Sequence, residues 1–137
     1  MRGRNTERGA TTVELAMYMP VLFFVIFVTV QAAMLFLGNQ AASAAAREAA
    51  RVARSGGGSA EAMADGRARG QEYAATVGHG VIENVQVQVN GVADRQIRAT
   101  VTGRGIQVVP WLPGLNITQV AQGPIEEFRP DEGGPGL

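Results

Sequence analysis

From Leu15 to Leu37 the chain carries 23 consecutive residues without a charge, broken only by Tyr18, Pro20, Thr29 and Gln31. No other feature restricts the fold as much. Wound as a helix, this run reaches roughly 35 Å at 1.5 Å per residue, enough to cross a hydrocarbon core of about 30 Å. A secretory signal has a shorter apolar region, roughly 7–15 residues, so a spanning helix is the expectation. Pro20 lacks an N–H and is expected to kink or loosen the helix near its start. A proline simply tolerated near a membrane-helix end is an equal reading. Arg2, Arg4 and Arg8 precede the run, Glu14 sits at its lip, and the next charge is Arg47. A carboxylate entering lipid unpaired costs several kcal/mol, so Glu14 needs a partner or a purpose. Gly9, five positions earlier, is small enough for an extended chain lying in a protease cleft.

The helical pattern continues past Leu37. Residues 41–54 are almost all Ala, Arg, Glu and Ser, a strongly helix-forming composition. One helix from about Thr12 to Arg54 is the economical reading. Gly38, Ala42, Ala46 and Ala50 fall four apart, a narrow smooth stripe that lets another helix approach closely. Arg47, Arg51 and Arg54 recur on another face, read as solvated or as binding lipid headgroups or a partner. Gly56-Gly57-Gly58 ends the rod and forms a joint. Ser59 is a candidate N-cap for a second helix to about Val77, with Met63, Tyr73 and Val77 as its larger contacts. Gly66 and Gly70 weaken that helix by about 1 kcal/mol each unless a neighbour packs against them.

The remainder reads as β. Val85, Val87 and Val89 alternate with polar residues, and Ile97, Ala99 and Val101 do the same, predicting an antiparallel hairpin. Gly103 to Gly105 are expected to turn the chain into Ile106–Val109. Pro110-Trp111-Leu112-Pro113-Gly114 is expected to bend over the small core, and 117–122 to add a last strand. The tail at 129–137 has almost nothing to bury and is expected to be disordered.

Charge and composition remove several function classes. The net formal charge is zero, and all twelve basic residues are arginine. Without residues 1–9 the chain keeps nine basic and eleven acidic residues, unlike a nucleic-acid binder with a phosphate-neutralising patch. Cysteine is absent, so disulfides, thiol nucleophiles and Cys-based metal sites are excluded. His79 is the only histidine, between Gly78 and Gly80, and makes a poor metal or catalytic site. Gly56–Gly58 has no lysine of a phosphate loop behind it. We expect no enzyme, no cofactor and no metal.

Arg8-Gly9-Ala10-Thr11-Thr12-Val13-Glu14, followed by Leu15-Ala16-Met17-Tyr18-Met19-Pro20, has the order of a prepilin and resembles the start of TadE-like proteins of tight-adherence (Tad/Flp) pilus systems. Ala45-Ala46-Arg47-Glu48-Ala49-Ala50-Arg51 is similar to that family's post-membrane helix. So is the closing order of a Val/Thr-rich strand, a Pro-Trp-Leu-Pro bend and Gly-Pro-Ile-Glu-Glu-Phe. The resemblance implies trimming by a prepilin peptidase between Gly9 and Ala10, which makes Glu14 the fifth mature residue. It implies that Glu14 pairs with the new α-amino group of a neighbouring subunit. An ammonium and a carboxylate attract strongly in low dielectric and are each costly alone, so the pair would set axial register. Glu14 resting in the headgroup region is the plainer alternative.

The expected fold is therefore α+β and pilin-like: a long N-terminal transmembrane helix extended by an amphipathic helix, then a short helix and a small antiparallel β-sheet. Its expected parts are a prepilin-type leader at 1–9, the membrane and extended helix at 10–54 and a Gly-rich joint at 55–58. A small α+β extracytoplasmic domain at 59–128 and the tail at 129–137 follow. Some eighty residues beyond the helix favour a minor pilin or pseudopilin over a bulk Flp subunit. The expected location is the cytoplasmic membrane, crossed once, with filament entry or a stay in the assembly platform both open. Expected partners are the prepilin peptidase, other pilin or pseudopilin subunits, the Tad assembly platform and membrane lipid, with no nucleic acid. Two alternatives stand beside this. One is a single-pass signal-anchored protein with a small extracytoplasmic binding domain. The other is a secreted product cut near Ala42-Ser43-Ala44.

Overall fold

The computed structural model describes residues 6–126, with side chains from Thr11 onward. Residues 1–5, within the expected leader, and residues 127–137, with the expected disordered tail, lie outside the described residues. Helix α1 runs unbroken from Thr6 to Ser55, through Pro20. It thus begins six residues before the expected start and takes in Gly9 and Ala10. Fifty residues at 1.5 Å each give a rod of about 75 Å. Its lower part stands clear of the domain: every residue from Thr11 to Val30 is exposed. Its upper part is the spine of the domain, where Ala42, Ala45, Ala46, Ala49, Ala50 and Ala53 are at most 3% exposed.

The end of α1 is built by the glycines. The Gly58 N–H donates to the Ala53 carbonyl and the Gly57 N–H to the Arg54 carbonyl, both at 3.0 Å. Gly57 sits at φ +70°, the left-handed position this helix-ending motif requires. The three glycines therefore form a tight, hydrogen-bonded turn in which Gly58 lies against Ile97 and Ile125. Helix α2, Ala60–Val77, starts at Ser59, whose hydroxyl accepts the Ala62 N–H.

The contact face of α2 holds Met63 and Tyr73 against the core as expected, but its centre is made of small residues. Its buried residues are Ala62, Gly66, Gly70 and Ala74, again four apart. Met63 and Tyr73 are half-buried and Val77 is exposed. A Cβ on Gly66 would lie 2.6 Å from the Ala49 carbonyl oxygen, and one on Gly70 would lie 2.8 Å from the Ala49 Cβ. The two helices touch almost backbone to backbone, so the glycines' conformational cost is offset by close contact.

Three antiparallel strands, β1 (Ile82–Val92), β2 (Gln96–Gly105) and β3 (Asn116–Pro124), form a meander with β2 in the centre. Glu83 pairs with Arg104 and Gln86 with Thr102, so two residues of β1 oppose one of β2. Asn84 takes φ +52° in this bulge. The bulge shifts the alternation by one, which places both Ile82 and Val89 in the core. Ile97, Ala99, Val101 and Ile117 complete the apolar face laid on the α1 alanines. Gly103 to Gly105 belong to β2 rather than to a turn, and 106–115 is a loop without strand.

Candidate functional site: the bare helix and its junction with the domain

The exposed segment 11–30 is apolar around its whole circumference, including Leu22, Phe23, Phe24, Ile26 and Phe27. A soluble helix has one apolar stripe; one apolar on all sides suits lipid or a bundle of like helices. It is the one helix among the described residues long and apolar enough to cross a membrane, and it supports a single-pass anchor. Glu14 is exposed near its lower end, one helical turn above Ala10. Pro20 leaves the Ala16 carbonyl without its helical donor. Thr29 returns its hydroxyl to the Val25 carbonyl at 2.8 Å, which hides that polar group inside the rod.

Gln31 marks the junction. Only 6% exposed, it accepts the N–H groups of Val108 and Val109 at 2.7 and 3.2 Å and donates to the Ile106 carbonyl at 3.0 Å. One amide thus satisfies three backbone groups of the loop between β2 and β3. Two turns higher, Asn39 accepts from the Gln119 amide at 2.8 Å and donates to the Leu35 carbonyl. These two polar residues pin the domain to the helix, a role that sequence reading missed. Two isolated amides at the upper end of an apolar run were the available signal.

The pinning shortens the part of the helix that is bare on all sides. Had lipid reached Leu37 on all sides, Glu14 would fall outside a core of about 30 Å. Gln31 lies only 17 residues, about 25 Å, above Glu14. The stretch from Glu14 to Gln31, bare on all sides below the domain, is therefore shorter than a hydrocarbon core of about 30 Å.

The small stripe is occupied within the chain. Ala42, Ala46 and Ala50 are buried among sheet and helix side chains. A Cβ on Gly38 would stand 2.7 Å from Ile117 Cδ1 and 3.0 Å from the Val81 carbonyl oxygen. Helix α2 approaches instead through Ala45, Ala49 and Ala53. Of the arginine face, Arg47 bonds Ser43, and Arg51 bonds Glu48 at 2.7 Å. Arg69 on α2 reaches the same Glu48 at 3.6 Å and Glu72 at 2.8 Å, linking the helices at their rim. The Arg51 hydrogen bond, helped by Arg51 and Arg69 charge, holds the Glu48 carboxyl below its ordinary range against the opposing effect of burial. Arg54 lies over Gly123 and reaches Glu126 at 3.7 Å.

No group of His, Asp or Glu able to hold a metal occurs among the described residues. His79 is exposed in the turn after α2. One apolar recess is an open groove floored by Leu37, Ala41, Ala44, Tyr73 and Val77 and bordered by Arg47, Glu48 and Arg51. Such a surface can receive an apolar rod.

No curated protein and no solved structure matches the chain. The family model described as TadE-like protein matches residues 9–51, from Gly9 through most of the alanine-rich half of α1. The exposed apolar rod and most of the alanine spine that carries the domain lie in that segment, over which the chain is similar to the TadE-like family.

Proposed function

We propose that the chain is a TadE-like minor pilin or pseudopilin of a Tad pilus, used in assembling or priming a filament for adhesion or secretion. A prepilin peptidase trims it between Gly9 and Ala10. The rod then stays in the cytoplasmic membrane, with α2 and the sheet on the outer side. Released Ala10 supplies an ammonium to Glu14 of an adjoining copy or related subunit. The observation that carries this reading is the rod from Thr11 to Val30, exposed and apolar all round with Glu14 near its base. Lipid solvates such a rod, but only a cation compensates the acid.

Helix α1 begins at Thr6, so Gly9 and Ala10 are helical in the untrimmed chain. A peptidase needs that end unwound, and glycine at 9 lowers the cost by about 1 kcal/mol relative to alanine. The stripe of Gly38, Ala42, Ala46 and Ala50 serves packing inside the subunit in this reading, which leaves the bare rod and the open groove for neighbours.

The signal-anchor alternative retains residues 1–9 and assigns Glu14 no role. Release by cleavage near Ala42-Ser43-Ala44 is disfavoured physically, since it would strip Gln31, Asn39 and Ala42 from the domain they hold. The test is the intact mass of membrane-extracted chain from cells with active peptidase. The wild type should lack the mass of residues 1–9 and Gly9→Phe should keep it; equal retention in both would overturn the proposal.

A further inference from the structure

The bend between β2 and β3 was expected to cap the core, and it does the opposite. Val109 is buried, but Trp111 beyond it is 67% exposed, and Pro110, Leu112, Pro113 and Leu115 are exposed with it. Soluble domains expose single apolar residues freely; five in six consecutive positions, one of them tryptophan, call for a cover.

Its place on the molecule says what covers it. The sheet descends along α1: Gly123 lies against Arg54, Gly105 against Leu35, and Val108 on Gln31. Each step is closer to the bare rod. The bend follows immediately, at the level where full helix exposure below Gln31 begins. The loop is fixed there by the Gln31 hydrogen bonds, the Leu112 N–H to Val109 carbonyl bond and the Gly105 N–H to Leu115 carbonyl bond. No charged residue occurs between Arg104 and Glu126. The Arg104 stem runs beside the bend, within 3.1 Å of where a Gly114 Cβ would stand.

We infer that Trp111, with Leu112 and Leu115, seats the domain in the headgroup boundary of the membrane its own helix crosses. Tryptophan is suited to that layer, its ring lying among acyl ends and its N–H reaching water or ester oxygens. Arg104 can extend its guanidinium from an apolar stem to lipid phosphates. The domain is thereby held upright on the bilayer by two points, the rod and the bend. This rests on the single-pass reading of α1 and is independent of trimming and of pilus assembly.

Trp111 is the only tryptophan, so the chain reports on itself. The full chain is reconstituted in vesicles of zwitterionic and anionic phospholipid, and its fluorescence is read with iodide in the water and with lipids brominated near the glycerol end of the acyl chain. A reference variant combines Trp111→Phe with Val120→Trp on the outer face of the sheet. Brominated lipid should quench Trp111 strongly, and iodide should quench it several-fold less than the reference tryptophan. Trp111 open to iodide in vesicle-bound chain overturns the inference. So does protection from iodide without lipid quenching, which would indicate a protein partner, or equal lipid quenching of the reference. A chain that does not float with vesicles overturns the membrane reading and the inference together.

Discussion

The side-chain oxygen of Gln31 accepts the backbone N–H of Val108 at 2.7 Å, joining the upper end of the apolar rod to the loop between β2 and β3. Removing it strands the N–H of Val109 and the carbonyl of Ile106 as well. A buried backbone group without a partner costs about 1–3 kcal/mol. Gln31→Leu should therefore lower domain stability by about 2–4 kcal/mol, with some of the loss relieved by water. Denaturant unfolding in detergent measures it, and proteolysis between residues 105 and 115 should speed up in parallel.

The helix pair makes a sharper prediction because its tolerance is so small. Gly66→Ala places a methyl 2.6 Å from the Ala49 carbonyl oxygen, which belongs to backbone and cannot swing away. Overpacking of this kind costs about 1–3 kcal/mol, and contact with fixed backbone puts it toward the upper end, above the roughly 1 kcal/mol that alanine returns in helix propensity. Gly91→Ala, with nothing within 4 Å of the new methyl, should shift stability by less than about 0.5 kcal/mol. Thermal unfolding of the two variants side by side checks the contrast.

Acid should loosen the rim where the helices meet. Glu48 titrates below its ordinary value of 4.5 because Arg51 hydrogen-bonds its charged form, with Arg69 adding charge. A depressed carboxyl stabilises fully above the unfolded value, and that contribution is lost as pH falls through the folded one. Stability should thus decline below about pH 4.5, and Glu48→Gln should flatten that decline. The arginine partners are half-exposed or more, so added salt should shrink the effect.

Glu14 separates folding from assembly. It lies on the bare rod far below the core, so Glu14→Gln should leave the unfolding midpoint of the domain within about 0.5 kcal/mol. Leaving a buried ammonium without its carboxylate costs about 3–5 kcal/mol, so recovery of cross-linked neighbouring subunits should fall at least tenfold. Cross-linking in membranes reads the second effect directly.

Much of this architecture is legible in the sequence because its signals are local. Charge-free length gives the rod, alanine richness gives its extension, and Val85 to Val89 give a strand by alternation. The less legible parts depend on contacts between distant segments. Gly66 and Gly70 read as weaknesses until Ala49 is set against them, and Gln31 reads as an interruption until Val108 arrives from 77 residues away. The bulge at Asn84 carries no residue signature beyond an asparagine able to adopt positive φ, yet it brings Ile82 inward. Glu14 stands out in the sequence by its isolation, and the structure leaves it exposed on the bare rod. The stripe from Gly38 to Ala50 was recognisable as a packing surface, but only the fold places the chain's own sheet and helix around it.

The most direct measurement is N-terminal sequencing of the protein extracted from membranes of cells that trim other prepilins. The account predicts a chain beginning Ala10-Thr11-Thr12-Val13-Glu14. A chain still carrying Arg8 and Gly9 would contradict it, because no new amine would then be available to Glu14 of a neighbouring subunit.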